Sequence, residues 1–245
     1  MPIYHPIEQR SADWYYLRLG KPTASEFDQI ITPAKGLLSA QHGDYIRFLL
    51  AELMLGKPLD SVETAFMTRG EQLEDEAIEA YEVVTGMETQ RGGFVTDDLG
   101  QYGCSPDRLV GDVGLLEMKV PAPQTHVGYL LNPESLDSAK RCQVQGQLLV
   151  TERAWVDLVS YHPEMPIVVR RVKRDQAFIG MMRMALVGFM QSLREARLKL
   201  EREYGPFRPI VKPEPAEPQE TGSLGVSEAD VEYMMQSGAI RTKEF

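Results

Sequence analysis

The chain has 245 residues, of which 43% are hydrophobic and 25% charged, a composition that is ordinary for a globular protein. It contains no run of about 18 uncharged apolar residues, and Met1–Arg10 carries no apolar segment, so neither a membrane span nor a secretory signal is predicted. Two cysteines, Cys104 and Cys142, are too few for a disulfide framework, a four-cysteine zinc site or a cysteine-held iron–sulfur cluster. We therefore expect a cytoplasmic protein with reduced thiols.

The formal net charge is −10, which argues against a nucleic-acid binder with a uniformly basic surface. Part of this excess lies in Lys212–Phe245, where seven acidic residues stand against three basic ones. A nuclease also needs clustered carboxylates to hold metal, and those carboxylates lower the sum. The net charge therefore leaves DNA chemistry open.

The N-terminal part of the chain predicts helices that are separated by loops rich in glycine and proline. Residues 1–11 are expected to be a short leader. Apolar spacing and capping residues then predict three helices, namely Thr23–Ile31, Asp44–Leu55 and Gly70–Thr85, the last closed by Gly86.

The pattern then changes to short runs of alternating residues that are typical of strands. The predicted strands are Phe94–Thr96, Tyr102–Ser105, Arg108–Val110, Val113–Val120, Ala154–Tyr161 and Ile167–Val172. Two further helices are predicted, Asp137–Val150 and the long Asp175–Tyr204. Helices around a central run of strands indicate an α/β fold with a mixed β-sheet flanked by helices.

The composition shifts after Tyr204, because five prolines interleaved with glutamates occur within thirteen residues. This predicts one folded domain over residues 1–205, followed by a Pro/Glu-rich linker at 206–226. Residues 227–245 begin with a capping pattern and predict a short helix. That helix is either a docking segment or a frayed terminus, and the pattern does not distinguish the two.

The strongest local pattern joins Asp107 to Glu117 and Lys119. A turn at Gly111–Gly114 separates the two acidic residues, so two strands of a hairpin would bring their carboxylates together. Glu117 and Lys119 lie two residues apart and share one face of a strand. Two convergent carboxylates suit Mg²⁺, and a neighbouring lysine suits the activation of water or the stabilisation of charge on a scissile phosphate. The alternative is a surface hairpin with an ordinary salt bridge.

Three further features are consistent with a site of this kind. Glu74 lies at the edge of the apolar face of its helix, where an unpaired carboxylate costs free energy, so it is expected to be paired or metal-bound. The alternative is a partly exposed glutamate at the rim of that face. Gln143 lies on an inward-facing stripe, either as a site residue or as a core amide. Arg18 and Ser25 come close to a predicted helix N-terminus, which favours an anion site over a capping serine and a surface arginine.

Five motifs occur in order over Gln9–Leu200, nearly the whole predicted body. They are Arg18-Leu19-Gly20-x-x-Thr23-Ala24-Ser25, Gly70-x-x-x-Glu74-x-x-Ala77, Ser105-Pro106-Asp107, Leu116-Glu117-x-Lys119-x-Pro121 and Gln143-x-Gln145. Together they resemble the lambda-exonuclease (YqaJ-like) viral recombinase family, of the PD-(D/E)xK nuclease superfamily. The resemblance implies a restriction-endonuclease-like core.

The resemblance also implies the roles of individual residues. Asp107 and Glu117 would bind the metal together with the Met118 carbonyl, and Glu74 would be a further ligand. Lys119 would assist the attacking water, and Gln143 would position either that water or Lys119. The residues expected to bind the 5′-phosphate are Arg18, Ser25 and Ser105, and those expected to contact DNA elsewhere are Lys35, Met67 and Arg108.

The implied activity is a Mg²⁺-dependent 5′→3′ exonuclease with two metal ions per site, for which Mn²⁺ would substitute. It would digest one strand of linear duplex DNA from a 5′-phosphorylated end and leave a 3′ overhang. The implied partners are a single-strand annealing protein and two further copies in a toroidal homotrimer, in the cytoplasm of a bacterial host of a phage or prophage.

Two positions depart from the family pattern. Arg108 follows Asp107 where the family usually has glycine, and Val120 follows Lys119 where cysteine is common. Neither change touches an expected ligand, and Arg108 could reach a phosphate. Two alternative functions remain, a restriction-type endonuclease on the same fold and a non-catalytic DNA-end-binding module that recruits an annealing protein.

Overall fold

The computed structural model describes residues 1–59 and 73–210. The predicted contact residue Met67, most of the predicted linker and the whole predicted C-terminal helix lie outside these residues. In the described part the helices are α1 (Ala12–Arg18), α2 (His42–Leu55), α3 (Glu74–Thr85), α4 (Pro123–Leu131), α5 (Glu134–Ala139), α6 (Arg141–Thr151) and α7 (Gln176–Tyr204), with a 3₁₀ helix at Ala24–Gln29. The strands are β1 (Ile3–His5), β2 (Thr89–Arg91), β3 (Phe94–Thr96), β4 (Gly103–Cys104), β5 (Arg108–Val110), β6 (Gly114–Lys119), β7 (Trp155–Ser160) and β8 (Val168–Lys173).

The strands form two sheets in the described residues. The larger sheet is mixed and has the order β2-β5-β6-β7-β8, in which only the β6–β7 pair is parallel. The smaller sheet has the order β1-β3-β4 and is antiparallel. The hairpin of β5 and β6 pairs Arg108 with Leu116, so the residue before Arg108 stands level with the residue after Leu116.

Both faces of the larger sheet are covered. On one face, Leu116 and Met118 of β6 pack with Ile78 and Tyr81 of α3. On the other face, Leu115 joins the main apolar core, which is contributed largely by α2, α6 and α7. Because alternate residues of a strand point to opposite faces, Glu117 and Lys119 project to the α6 side. This arrangement confirms the predicted central mixed sheet with flanking helices.

The N-terminal expectations need correction in two places. Residues 1–11 are more than a leader, because Ile3–His5 pairs with Phe94–Thr96; a strand of three residues is too short to show an alternating pattern. The predicted helix at Thr23–Ile31 is a 3₁₀ helix over Ala24–Gln29. The helix predicted at Gly70–Thr85 begins at Glu74 in the described residues, after Leu73, and ends at Gly86 in the left-handed conformation as expected.

The single helix predicted at Asp137–Val150 is wrong, because the chain leaves helical geometry at Lys140 and forms α5 and α6. Side chains on either side of the break are held by different elements. Asp137 binds Arg170 of β8 at 2.9 Å, whereas Arg141 binds Asp175 at 2.7 Å. The two segments therefore contact different elements, although the apolar period continues across the break.

Three more elements were not predicted, namely α1, α4 and β2. The remaining predicted helices and strands are present, with ends that differ by about one or two residues. Among the described residues, no helix combines the length and apolarity needed to cross a membrane.

Candidate active site

One cavity of about 350 Å³ collects most of the predicted site residues. It lies beside the end of β6, and its walls come from α1, the 3₁₀ helix, the Ser105–Asp107 loop and α6. The predicted site residues that line it are Arg18, Ser25, Glu74, Ser105, Asp107, Glu117, Met118, Lys119 and Gln143. Lys35 is exposed and Arg108 lies behind Glu74, and neither lines this cavity.

The β5–β6 hairpin positions the acidic residues at one end of the cavity. Asp107, just before β5, accepts a hydrogen bond at Oδ2 from the backbone N–H of Met118 at 2.6 Å. Lys119 Nζ donates to Oε1 of Glu117 at 2.5 Å, and the Glu117 side chain is only 3% exposed. The predicted hairpin geometry and the shared strand face are therefore present.

Two amides of α6 complete the surroundings of Glu117. Gln143 Nε2 donates to Oε1 of Glu117, and Gln147 Nε2 donates to Oε2, each at 2.5 Å. With Lys119, three donors hold one buried carboxylate. Such charge-assisted hydrogen bonds are stronger than neutral ones and fix the rotamer of the acid.

Burial and the closeness of two carboxyl groups determine the electrostatics of this end. Burial, followed by the charge of Glu117, raises the pKa of Asp107 to about 8. Burial alone lowers the pKa of Lys119, but the charges of Glu117 and Asp107 outweigh it and raise that pKa overall. Lys119 is therefore an ammonium at neutral pH, so it donates hydrogen bonds and cannot accept a proton in this state.

The oxygen atoms at this end suit a hard divalent cation. Asp107 and Glu117 offer carboxylate oxygens, and a bound cation would favour the ionised form of Asp107, which burial and the charge of Glu117 disfavour in the site without metal. The Met118 backbone carbonyl follows Glu117 directly in the chain and precedes Lys119. Within residues 1–59 and 73–210, no group of three or more His, Cys, Asp or Glu side chains is placed to hold a metal ion, so the pair and a backbone carbonyl form the candidate set.

Glu74 has arginine partners at the rim of the cavity. Its Oε1 accepts from Arg108 at 3.1 Å and its Oε2 lies 3.4 Å from Arg10. The Arg108 guanidinium is 13% exposed and also donates to the Asp107 carbonyl at 2.9 Å. The arginine that stands where the family usually has glycine thus binds the expected further metal ligand, whose role as a ligand stays a prediction.

A different kind of charge occupies the other end of the cavity. The guanidinium of Arg18 donates to Ser105 Oγ at 3.2 Å and to Thr23 Oγ1 at 3.3 Å, and it lies 4.0 Å from the centre of the Trp14 ring. Ser25 Oγ lies 3.1 Å from Thr23 Oγ1. Burial lowers the pKa of Arg18, yet a guanidinium stays protonated at neutral pH.

No carboxylate of the described residues lies within ion-pair distance of Arg18. Its hydrogen bonds go to neutral hydroxyls, and its ring contact with Trp14 is a cation–π contact. The charges of Glu26 and Glu52 partly offset the effect of burial on the pKa of Arg18 without forming an ion pair with it, so the guanidinium stays open to an anion, and a phosphate offers oxygens that match it. This end of the cavity is a candidate anion site.

Three residues that organise the site escaped the sequence analysis. Trp14 donates from Nε1 to Ser105 Oγ at 2.8 Å, and the guanidinium of Arg18 packs over its ring. Gln9 donates to the Pro106 carbonyl at 2.8 Å and so holds the Ser105–Asp107 loop. Gln147 binds Glu117 one helical turn after Gln143, and the spacing of four residues on one helix was the signal that could have found it.

The mixed sheet, the acidic hairpin and the lysine define a restriction-endonuclease-like nuclease core. The model of the YqaJ-like viral recombinase domain matches residues 13–154, which is more than half of the chain, so the protein belongs to that family. No curated protein matches the chain.

Solved structures give the same classification. The structure of LHK-Exo in complex with dAMP has a TM-score of 0.71 and 31% identity and covers 79% of this chain and 97% of its own. The alkaline exonuclease LHK-Exo from Laribacter hongkongensis gives a TM-score of 0.68 at 31% identity with the same coverage. A phage-related exonuclease from Haemophilus somnus 129PT shares the fold, with a TM-score of 0.61, 14% identity, and coverage of 74% of this chain and 96% of its own.

Proposed function

We propose that this protein is a Mg²⁺-dependent 5′→3′ exonuclease that digests one strand of linear double-stranded DNA from a 5′-phosphorylated end. The product is a duplex with a 3′ single-stranded overhang, the substrate of a single-strand annealing protein in phage-type recombination. The family membership and the solved exonucleases that the chain resembles support a nuclease role.

The observation that carries the proposal is the presence of two opposite kinds of site in one cavity. Asp107 and Glu117 form a negative end, and Arg18 forms a positive end that lacks an acidic partner among the described residues. An enzyme that removes nucleotides from a phosphorylated end needs both, a cation site at the scissile phosphate and an anion site for the terminal phosphate. A cavity that binds only one phosphate would need no such pairing.

In this proposal the anion end sets where cleavage occurs. Arg18 binds the terminal 5′-phosphate, with Ser25 and Ser105 as neutral hydrogen-bond partners. The Trp14 ring holds the Arg18 guanidinium, and its indole N–H holds Ser105. The strand then extends toward Asp107 and Glu117, which places a phosphodiester near the carboxylates and accounts for a preference for phosphorylated ends.

At the acidic end, Mg²⁺ would supply a lowered pKa for water and neutralise charge on the phosphate. Asp107, Glu117 and the Met118 carbonyl would hold it, with two ions per site and Mn²⁺ as a substitute. Lys119, protonated between the carboxylates, orients the attacking water and stabilises negative charge on the phosphate. Gln143 keeps Glu117 in place, and Glu74 would join the site on leaving its arginine partners.

The direct test compares a linear duplex that carries one 5′-phosphorylated end with a closed circle, each with Mg²⁺ or with EDTA. We expect Mg²⁺-dependent loss of the 5′-phosphorylated strand while the circle stays intact. A cut circle would instead indicate a restriction-type endonuclease. Loss of neither substrate, with retained binding to DNA ends, would indicate a non-catalytic end-binding module.

The quaternary and cellular parts of the proposal rest on the family. We propose a toroidal homotrimer with DNA in its channel, which Lys35 and Arg108 would contact, in the cytoplasm of a bacterial host. Light scattering of the purified protein would give the mass of three chains of 27.6 kDa each. A monomeric mass at working concentration would contradict the ring.

The acidic tail is the proposed contact for the annealing protein. Truncation before Pro213 is expected to keep nuclease activity and to lose binding of the annealing protein in a pull-down. Unchanged binding by the truncated protein would place the docking surface on the folded body.

A further inference from the structure

The three donors to Glu117 are distributed unevenly over its two oxygens. Oε1 accepts from both Lys119 and Gln143, whereas Oε2 accepts from Gln147 alone in the described part of the chain. A carboxylate oxygen has two lone-pair directions. Oε1 is therefore fully used by protein donors, and Oε2 retains one direction for another ligand.

The orientation of the Gln147 amide follows from the same geometry. A carboxylate only accepts hydrogen bonds, so the nitrogen of the amide must face Glu117 and the oxygen must face away. The oxygen, Oε1 of Gln147, is buried and has no hydrogen-bond partner, and it is the only such side-chain atom in the part of the chain that the structure describes. Leaving a buried acceptor unsatisfied costs free energy.

The side chain of Gln147 is thus oriented so that its nitrogen binds Glu117, which leaves its oxygen without a hydrogen-bond partner. It is 1% exposed, and it lines the same cavity as Asp107 and Lys119. A residue that served only the packing of α6 would gain from an apolar side chain of the same volume. The unsatisfied oxygen therefore indicates that the contact with Glu117 is the reason for a glutamine here.

We propose that Gln147 is a positioning residue that holds Oε2 of Glu117 as the metal-facing oxygen of the site. This inference rests on the proposed metal-dependent function and adds to it the assignment of one oxygen and the residue that fixes it. Gln143, which shares Oε1 with Lys119, has a smaller part in metal binding, because Lys119 still holds that oxygen when Gln143 is removed.

The test is calorimetric titration of Mg²⁺ into the full-length protein without DNA, which measures the metal affinity apart from activity. Gln147→Met keeps the volume and removes both polar atoms, and we expect its Mg²⁺ dissociation constant to rise about 10- to 100-fold, the usual effect of losing a hydrogen bond to a metal ligand. Gln147→Leu, measured in parallel, is expected to show the same loss. Gln143→Met is expected to raise the constant by less.

The matched control is Gln145→Met, on the same helix. Gln145 binds the Lys173 carbonyl and the Asp175 backbone N–H, away from the cavity, so its loss should lower the melting temperature and leave the Mg²⁺ constant within about twofold. Steady-state kinetics should show a lower kcat for Gln147→Met with an unchanged KM for DNA.

Two outcomes would overturn the inference, and they differ from each other. Equal Mg²⁺ affinity for wild type and both Gln147 variants would remove Gln147 from the metal site and leave the proposed function standing. A wild-type protein that binds no Mg²⁺ at all would overturn the proposed metal-dependent function and this inference with it.

Discussion

The two ends of the active-site cavity are built on opposite principles. At the acidic end, every charge already has partners, since Glu117 accepts three hydrogen bonds and Asp107 accepts one from the backbone. At the other end, the direct contacts of Arg18 among the described residues are hydroxyls and aromatic rings, and the charges of Glu26 and Glu52 act on it without an ion pair. Without a bound ion, the raised pKa of Asp107 keeps a proton on that carboxyl group at neutral pH, whereas Arg18 carries a positive charge.

The difference indicates what each end lacks. Burial, followed by the charge of Glu117, raises the pKa of Asp107, and a bound cation would lower it. A buried arginine whose direct contacts are neutral favours the binding of an anion. In the proposed complex, a hydrated metal ion binds at the acidic end and the 5′-phosphate of the DNA end binds at Arg18.

The largest expected effect comes from removing charge at the acidic end. Asp107→Ala, Glu117→Ala and Lys119→Ala are each expected to lower the cleavage rate by at least about 100-fold, because each removes a group that acts on the scissile phosphate or its metal. DNA binding should be retained in a gel-shift assay with Ca²⁺. Cleavage near the wild-type rate in any of the three would remove that residue from the catalytic set.

Next in size is the effect at the anion end. Arg18→Ala is expected to lower kcat/KM on 5′-phosphorylated ends by about 10- to 100-fold, and Ser25→Ala by about 2- to 10-fold, since hydrogen bonds to charged groups are the stronger ones. On 5′-hydroxyl ends both variants should resemble wild type. Arg47→Ala, an exposed arginine on α2, is the control. Equal losses for Arg18→Ala and Ser25→Ala would contradict the anion site.

The pH dependence of metal binding separates the two ends further. Asp107 binds its proton more tightly in the folded protein than in the unfolded chain, because its pKa rises from 3.8 to about 8 on folding. Without metal, the free energy of unfolding therefore falls as the pH rises from about 3.8 to about 8. Mg²⁺ must displace that proton, so its affinity should rise with pH and level off above about 8.

Thermal shifts measure this directly. The increase in Tm on adding Mg²⁺ should be larger at pH 9 than at pH 6.5 for wild type. Asp107→Asn, which lacks the titrating group and keeps the acceptor for the Met118 N–H, should show little shift at either pH. A wild-type shift that is independent of pH would argue against proton release from Asp107.

The smallest effect is expected from the basic residues outside the cavity. DNA affinity should fall by at least about tenfold between 50 and 200 mM salt, because phosphate contacts release counterions. Lys35→Ala should reduce the slope of this dependence by roughly one unit and weaken binding about equally for all sequences. An affinity that is flat over this range would contradict a channel lined by basic residues.

The sequence predicted the hairpin geometry at the acidic end because that geometry is local. A hairpin with a three-residue turn fixes Asp107 opposite Glu117, and the strand period places Lys119 on the same face. The helix break at Lys140 escaped prediction because the segments on its two sides make different long-range contacts, which a local apolar period does not show. The same reason explains the β1 strand, which exists only through pairing with β3.

For the anion end, the sequence predicted which residues take part but not the side chains that surround and hold them. Arg18 and Ser25 follow from their motif, but the contact of Trp14 with Ser105 spans 91 positions and has no local pattern. Gln147 shares the helical face of Gln143, yet a glutamine in a buried helix resembles any satisfied core amide until its partner is known. The link from Arg108 to Glu74 likewise depends on how α3 packs on the hairpin.

The measurement that tests the account most directly is a crystal structure with Mn²⁺ and a 5′-phosphorylated duplex end. We expect the anomalous signal of Mn²⁺ between Asp107 and Glu117, with Oε2 of Glu117 as a ligand, and the terminal phosphate on Arg18 in the same cavity. Mn²⁺ bound elsewhere, or a terminal phosphate that does not touch Arg18, would contradict the claim that one cavity holds a cation at one end and the 5′-phosphate at the other.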